Sequence, residues 1–190
     1  MNPDQYLHPW HFRLARKVIH AGGLVAYPTE AVFGLGCHPL DGDAVLRLLA
    51  LKQRPMEKGL ILIADRAEAL YPYLGDLPSK VWDRVMQHWP GPTTWVIPAS
   101  EKTPKWLTGG HNSLAVRVTD HPLASALCKI AATPLVSTSA NISQHPPART
   151  PMEVHLRCGD GIDLILHGKT GGQTKPTVIR DALSEALIRA

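Results

Sequence analysis

Hydrophobic and polar positions along this chain switch repeatedly between helical and strand periods. Over 10–20 the apolar residues recur at helical spacing and run into Gly22-Gly23, a helix stop. Residues 24–27 form a short apolar run closed by Pro28, the pattern of a buried strand. Asp41-Gly42-Asp43 offers a cap for a helix reaching about Gln53, with Val45, Leu48 and Leu49 on its buried face. A strand is then expected over 60–64, helices over 67–74 and 80–89, and strands over 93–98 and 113–118. A helix with proline in its first turn follows over 122–132, then a strand over 134–138 and a short helix over 152–158. Strands near 163–167, 177–180 and 186–189 close the chain, and the proline-paired loop 141–151 reads as a lid. Strands and helices interleaved this way predict an α/β fold: one domain over 1–190 with a twisted mixed sheet, covering helices and a concave basic site.

Composition narrows the class. With 190 residues and 44% apolar content the chain can bury a sizeable core without staples. Cys37, Cys128 and Cys158 are far apart and odd in number, so a disulfide framework and CxxC metal spacing are both excluded, and a reducing cytoplasm is expected. The N-terminal stretch lacks the apolar centre of a signal peptide. No apolar run approaches the roughly 20 residues that span a bilayer, so no membrane association is expected. The ten histidines show no HxH or HExxH spacing, so no protein-bound metal is expected. A net charge of +4 suits nucleotide, pyrophosphate or RNA, and many ordinary enzymes besides.

Two segments carry candidate chemistry. LKQRPMEKGLILI places Lys52, Arg54 and Lys58 around the helix breaker Pro55, so three cations gather where a helix ends and a strand begins. STSAN puts Ser137, Thr138, Ser139 and Asn141 directly after the strand-like PLV. Cations together with small hydrogen-bonding groups at strand ends suit phosphate. The same residues also fit a solvated helix end favoured by the macrodipole, and a plain turn. Gly168-Lys169-Thr170 mimics the end of a P-loop, but the motif requires glycine where Asp163 stands. Trp82, Trp89, Trp95 and Trp106 read as packing residues.

In order along the chain, LVAYPTEAVFGLGC, LKQRPMEKGLILI, WPGPTTWVIP, SLAVRVTDHP, PLVSTSANIS and GGQTKPTVIRD resemble the successive signature segments of the YrdC family, in its short bacterial form. The resemblance implies synthesis of threonylcarbamoyl-adenylate and pyrophosphate from L-threonine, bicarbonate (as carbon dioxide) and ATP, with Mg2+ carried by ATP. This is the first step of threonylcarbamoyl modification of adenosine 37 in tRNA. It further implies handover to the TsaD, TsaB and TsaE transfer machinery and weak tRNA association. By motif, Thr29, Arg117, Ser137 and Thr177 are expected to bind L-threonine. Lys52, Arg54, Ser139 and Asn141 are expected to be catalytic. ATP is expected to contact Lys52, Arg54, Lys58, Ser113, Ser139, Asn141 and Arg189. Thr29 as an N-cap, Arg117 in a structural ion pair and Arg189 in a fraying end are the plain alternatives. After SAN the family usually carries serine then glycine, whereas this chain has Ser143-Gln144, which leaves the path of the loop open. Two other functions compete: a structured-RNA-binding module without catalysis, and a carbamoyl-adenylate enzyme that uses carbamoyl phosphate.

Overall fold

A computed structural model describes residues 8–174 and 177–189; residues 1–7 of the N-terminal stretch read above for a leader lie outside them. The strands among the described residues are β1 Val25–Pro28, β2 Phe33–Gly36, β3 Ile61–Ala64, β4 Thr93–Pro98, β5 Ser113–Val118, β6 Leu135–Ser139, β7 Leu164–Ile165, β8 Val178–Asp181 and β9 Leu187–Arg189. They form one mixed sheet in the order β7-β1-β2-β6-β3-β5-β4-β8-β9. The helices are α1 Pro9–His20, α2 Gly42–Leu51, α3 Ser79–Met86, α4 Lys105–Thr108, α5 Pro122–Ala131 and α6 Pro151–Cys158.

Because successive strand residues face opposite sides, each strand divides its side chains between two layers. Leu62 of β3, Trp95 and Ile97 of β4, and Leu114, Val116 and Val118 of β5 enter one core, which α2 seals with Leu48. Val25 and Tyr27 of β1, Ile63 of β3 and Leu135 of β6 enter a second core, roofed by Phe12, Ala15 and Ile19 of α1 and Leu123 and Leu127 of α5. The intervening residues of β5, Ser113, Ala115 and Arg117, face neither core but line an open cavity. That cavity is the functional candidate.

Several elements differ from expectation. Strand β2 has no counterpart in the apolar pattern, because Gly34 and Gly36 alternate with Phe33 and Leu35 and hide the strand period. The glycine at 36 is required by packing: a Cβ there would lie 2.5 Å from the Val136 carbonyl oxygen. The helix expected over 67–74 is two 3-10 turns, Ala67–Ala69 and Tyr71–Tyr73, since Pro72 cannot donate within a helix. The helix expected over 80–89 ends at Met86, and the strand expected over 163–167 keeps only Leu164–Ile165. Helix α4 was not expected. Trp89 and Trp95 are buried in the first core and Trp82 and Trp106 pack against it, the packing role read from the sequence. Among the described residues no helix is long and apolar enough to cross a membrane.

Candidate active site

The end of α2 aims the cations. Gln53 N donates to Ala50 O and Arg54 N to Leu49 O, both at 3.0 Å, the paired bonds of a Schellman stop. Gln53 occupies the left-handed position that glycine usually takes, with φ 49°. Lys52 caps the helix just before this reversal and is 3% exposed, while Arg54 and Lys58, which follow it, line the cavity wall. Arg54 Nη2 donates to Gly59 O at 2.9 Å, so the guanidinium closes the turn it stands on. The segment around α4 supports that turn from outside: Leu60 N donates to Leu107 O (2.9 Å) and Gly110 N to Glu57 O (3.1 Å).

The cavity holds about 630 Å3. Its floor is the stretch of sheet beyond the reach of the roofing helices, and the side chains there are small. Ile61 stands between Ala115 of β5 and Ser137 of β6, Val96 opposes Ala115, and Gly34 opposes Ser139. Of the residues picked out by motif, Thr29, Arg54, Lys58, Ser113, Arg117, Ser137, Ser139, Thr177 and Arg189 all line this space. Lys52 and Asn141 do not. Lys52 Nζ donates to Ser139 O (2.5 Å), Asn141 O (2.8 Å) and Asn141 Oδ1 (3.1 Å), which occupies all three ammonium hydrogens. Ser139 Oγ donates to Asn141 Oδ1 at 2.6 Å. Lysine and asparagine therefore clamp the turn that presents Ser139.

Arg117 occupies the deep end, 5% exposed. Its Nη1 donates to Thr177 Oγ1 at 2.6 Å, and Nη2 lies 3.1 Å from Glu30 Oε2. Arg189 belongs to an exposed strand, yet its guanidinium turns inward and donates to Thr177 O at 3.0 Å. Thr29 is tied into the β1–β2 connection, where both its N–H and its hydroxyl donate to Val32 O. The hydroxyl oxygen of Thr29 retains its acceptor capacity toward the cavity it lines.

The electrostatics favour an anion. Burial, then repulsion from Arg117 and Arg54, lowers the Arg189 guanidinium from its usual range. Burial lowers Arg54. Burial and then Arg54 push Lys52 down to about 8, so it is still an ammonium at neutral pH. Converging cations that disfavour one another are relieved by a bound negative group. Among the described lining residues Asp181 is the one carboxylate, and the Ser184 N–H, outweighing burial, keeps it ionised.

The loop 141–151 is more tightly held than a free lid. Phe33 N donates to Ala148 O and Ala148 N to Ala140 O, and Ala148 is fully buried. Gln144 adopts φ 70°, so the chain keeps the left-handed turn without the family's glycine. Sequence reasoning missed His111 and Asp181 on the lining and Glu30 behind Arg117. Glu30 left a trace, as a single acid inside the apolar stretch around YPTEAVF. His111 and Asp181 carry no such mark.

Comparisons with known proteins bear on the family of the chain. A family model for Sua5, YciO and YrdC proteins, described as "Telomere recombination", matches residues 17–190. A threonylcarbamoyl-AMP synthase from Stutzerimonas stutzeri (strain A1501) is 51% identical over 180 residues, covering 95% of this chain and 97% of its own. P. abyssi Sua5 complexed with L-threonine superposes with a TM-score of 0.90 at 34% identity, over 97% of this chain and 55% of the longer Sua5 chain. E. coli YciO superposes with a TM-score of 0.80 at 27% identity, over 94% of this chain and 89% of its own. With the family model spanning nearly the whole chain and half of the aligned residues shared with such a relative, the protein belongs to the Sua5/YciO/YrdC family.

Proposed function

We propose that this chain is a threonylcarbamoyl-AMP synthase acting in the first step of tRNA threonylcarbamoyl-adenosine formation. The observation that carries the reading is the composition of one cavity: a buried arginine bonded to the hydroxyl of Thr177, together with Thr29, Ser113, Ser137 and Ser139 and the cations Arg54, Lys58 and Arg189. Relatives that share about half their residues with this chain bear that enzyme's name, and a similar fold has been solved with L-threonine.

The threonine carboxylate pairs with Arg117, whose planar fork suits a carboxylate, while Thr29, Ser137 and Thr177 offer hydroxyls to the rest of the amino acid. Its amine adds to carbon dioxide, loses a proton and becomes a carbamate. A carbamate oxygen then attacks the α-phosphorus of ATP, and the bond to the bridging oxygen breaks to release pyrophosphate. The protein's part is placement and charge neutralisation. Arg54, Lys58 and Arg189 offset the charge that builds on the phosphates, and Ser113 donates a hydrogen bond nearby, while Ser139, whose proton goes to Asn141, offers its hydroxyl oxygen as an acceptor. Lys52 and Asn141 serve the nucleotide from behind, through the turn they fix. Mg2+ would come with ATP and be held chiefly by phosphate and water oxygens, Asp181 being the one carboxylate among the described lining residues. The adenylate passes to the TsaD, TsaB and TsaE transfer machinery, with tRNA held weakly, in a single cytoplasmic domain.

The test is a mixture of protein, ATP, Mg2+, bicarbonate and L-threonine without RNA. Pyrophosphate release should require both threonine and bicarbonate. Equal release without threonine would sink the synthase reading.

A further inference from the structure

We propose that Glu30, backed by the hydroxyl of Thr119, is the positioning residue that sets the orientation of Arg117 toward the amino-acid substrate. Glu30 is 4% exposed and absent from the cavity lining, so it acts through Arg117. One carboxylate oxygen, Oε2, faces Arg117 Nη2 at 3.1 Å, and the other, Oε1, accepts from Thr119 Oγ1 at 2.6 Å. Thr119 is 1% exposed, and its own hydroxyl oxygen accepts from His121 N at 3.2 Å, which directs its single proton toward Glu30. The carboxylate is thus held from one side and holds the guanidinium on the other. Backbone bonds fix its root: Thr29 O accepts from Gly171 N (2.9 Å) and Glu30 O from Gln173 N (3.0 Å). A Cβ at Gly171 would lie 2.9 Å from Glu30 O, so this close strap admits only glycine without a shift.

The arrangement has a chemical consequence. An arginine with several rotatable bonds grips a carboxylate well only when its fork is already in place. Thr177 accepts from Nη1 and Glu30 pairs by charge with Nη2, which orients the guanidinium and leaves its other Nη hydrogens to the ligand. Glu30 also offsets the buried charge of Arg117. Removing its charge would therefore change two things at once: orientation would worsen, and repulsion of the incoming carboxylate would vanish. Variants that keep the charge separate the two.

The inference rests on the synthase reading, and the test keeps the two apart. Steady-state pyrophosphate release is measured with threonine and ATP varied in turn, alongside calorimetric binding of L-threonine, for the wild type, Glu30→Asp, Thr119→Val and Thr119→Ser. Glu30→Asp keeps the charge but withdraws it by one methylene, and should raise the threonine KM and Kd about 10-fold or more. Thr119→Val should raise them by about 3-fold to 10-fold, and Thr119→Ser, which retains the hydroxyl, should restore wild-type values. The ATP KM should stay within about 2-fold, and kcat at saturating threonine should change little. Threonine and ATP constants rising together, or neither rising, would overturn the positioning role. Absence of threonine-dependent release and of threonine binding in the wild type would instead remove the synthase reading itself.

Discussion

Lys52 and Gln53 show how much of the site depends on one reversal of the chain. Left-handed backbone costs a residue other than glycine roughly 1–2 kcal/mol. Glycine returns about 0.5–1 kcal/mol of that through a more flexible unfolded chain. Gln53→Gly, at φ 49°, should therefore stabilise the protein by about 0.5–1 kcal/mol, a rise of roughly 1–4 °C in Tm by calorimetry. A lower Tm would mean that the glutamine side chain makes a contribution of its own. Lys52 predicts a pH effect of definite sign. Its folded pKa, pushed to about 8 by burial and Arg54, is below that of the unfolded chain, so at neutral pH the folded state carries a penalty for the buried ammonium. That penalty is fully present below pH 8 and fades as pH rises toward the unfolded value near 10.4. Relative to Lys52→Met, the wild type should gain about 2–3 kcal/mol between pH 7 and pH 10, read from denaturant midpoints at each pH. A constant difference would mean that the acceptors around Nζ hold the proton as firmly as water does. Cys37 does not titrate in this window, because burial raises its thiol to about 12.

At the scale of elements, the loop after α4 is as much part of the site as the strand ends. A Cβ at Gly109 would lie 2.6 Å from Met56 O, Glu57 O and Gly59 N, all backbone atoms that cannot swing aside, and φ there is 64°. Gly109→Ala should cost about 2 kcal/mol or more and displace the Arg54–Gly59 turn. Turnover should then fall by about 10²-fold even under conditions where circular dichroism reports a folded protein. Full activity in that variant would show the turn to be independent of its support. Strands β3 and β5 were legible in the sequence, the first as an unbroken apolar run and the second by its apolar residues at every other position. Strand β2 was not, since glycines at 34 and 36 alternate with its apolar residues, and neither was the four-residue α4, too short for any period to show. The motif residues were legible as a set. What the linear pattern cannot convey is that Lys52 is drawn off the cavity lining: its ammonium meets the carbonyls of Ser139 and Asn141, which lie beside it only once the chain is folded.

For the whole molecule, the cavity of about 630 Å3 gathers cations that repel one another, Arg189 with Arg117 and Arg54. Pyrophosphate should relieve that repulsion and raise thermal stability. At about 100 times its Kd the ligand adds about 2.7 kcal/mol, or roughly 5–10 °C in Tm. Arg54→Ala should abolish most of the shift, and an undiminished shift would place the phosphates elsewhere. The alternation along β5 has a wider consequence. Leu114, Val116 and Val118 build the core while Ser113, Ala115 and Arg117 build the cavity, so one six-residue strand encodes both in interleaved positions. Deleting a single residue within it would exchange the two sets, bringing leucine and valine to the substrate and driving an arginine into hydrocarbon. A frame of this kind ties the catalyst to the fold: substitutions can tune either one, but an insertion or deletion in β5 loses both together.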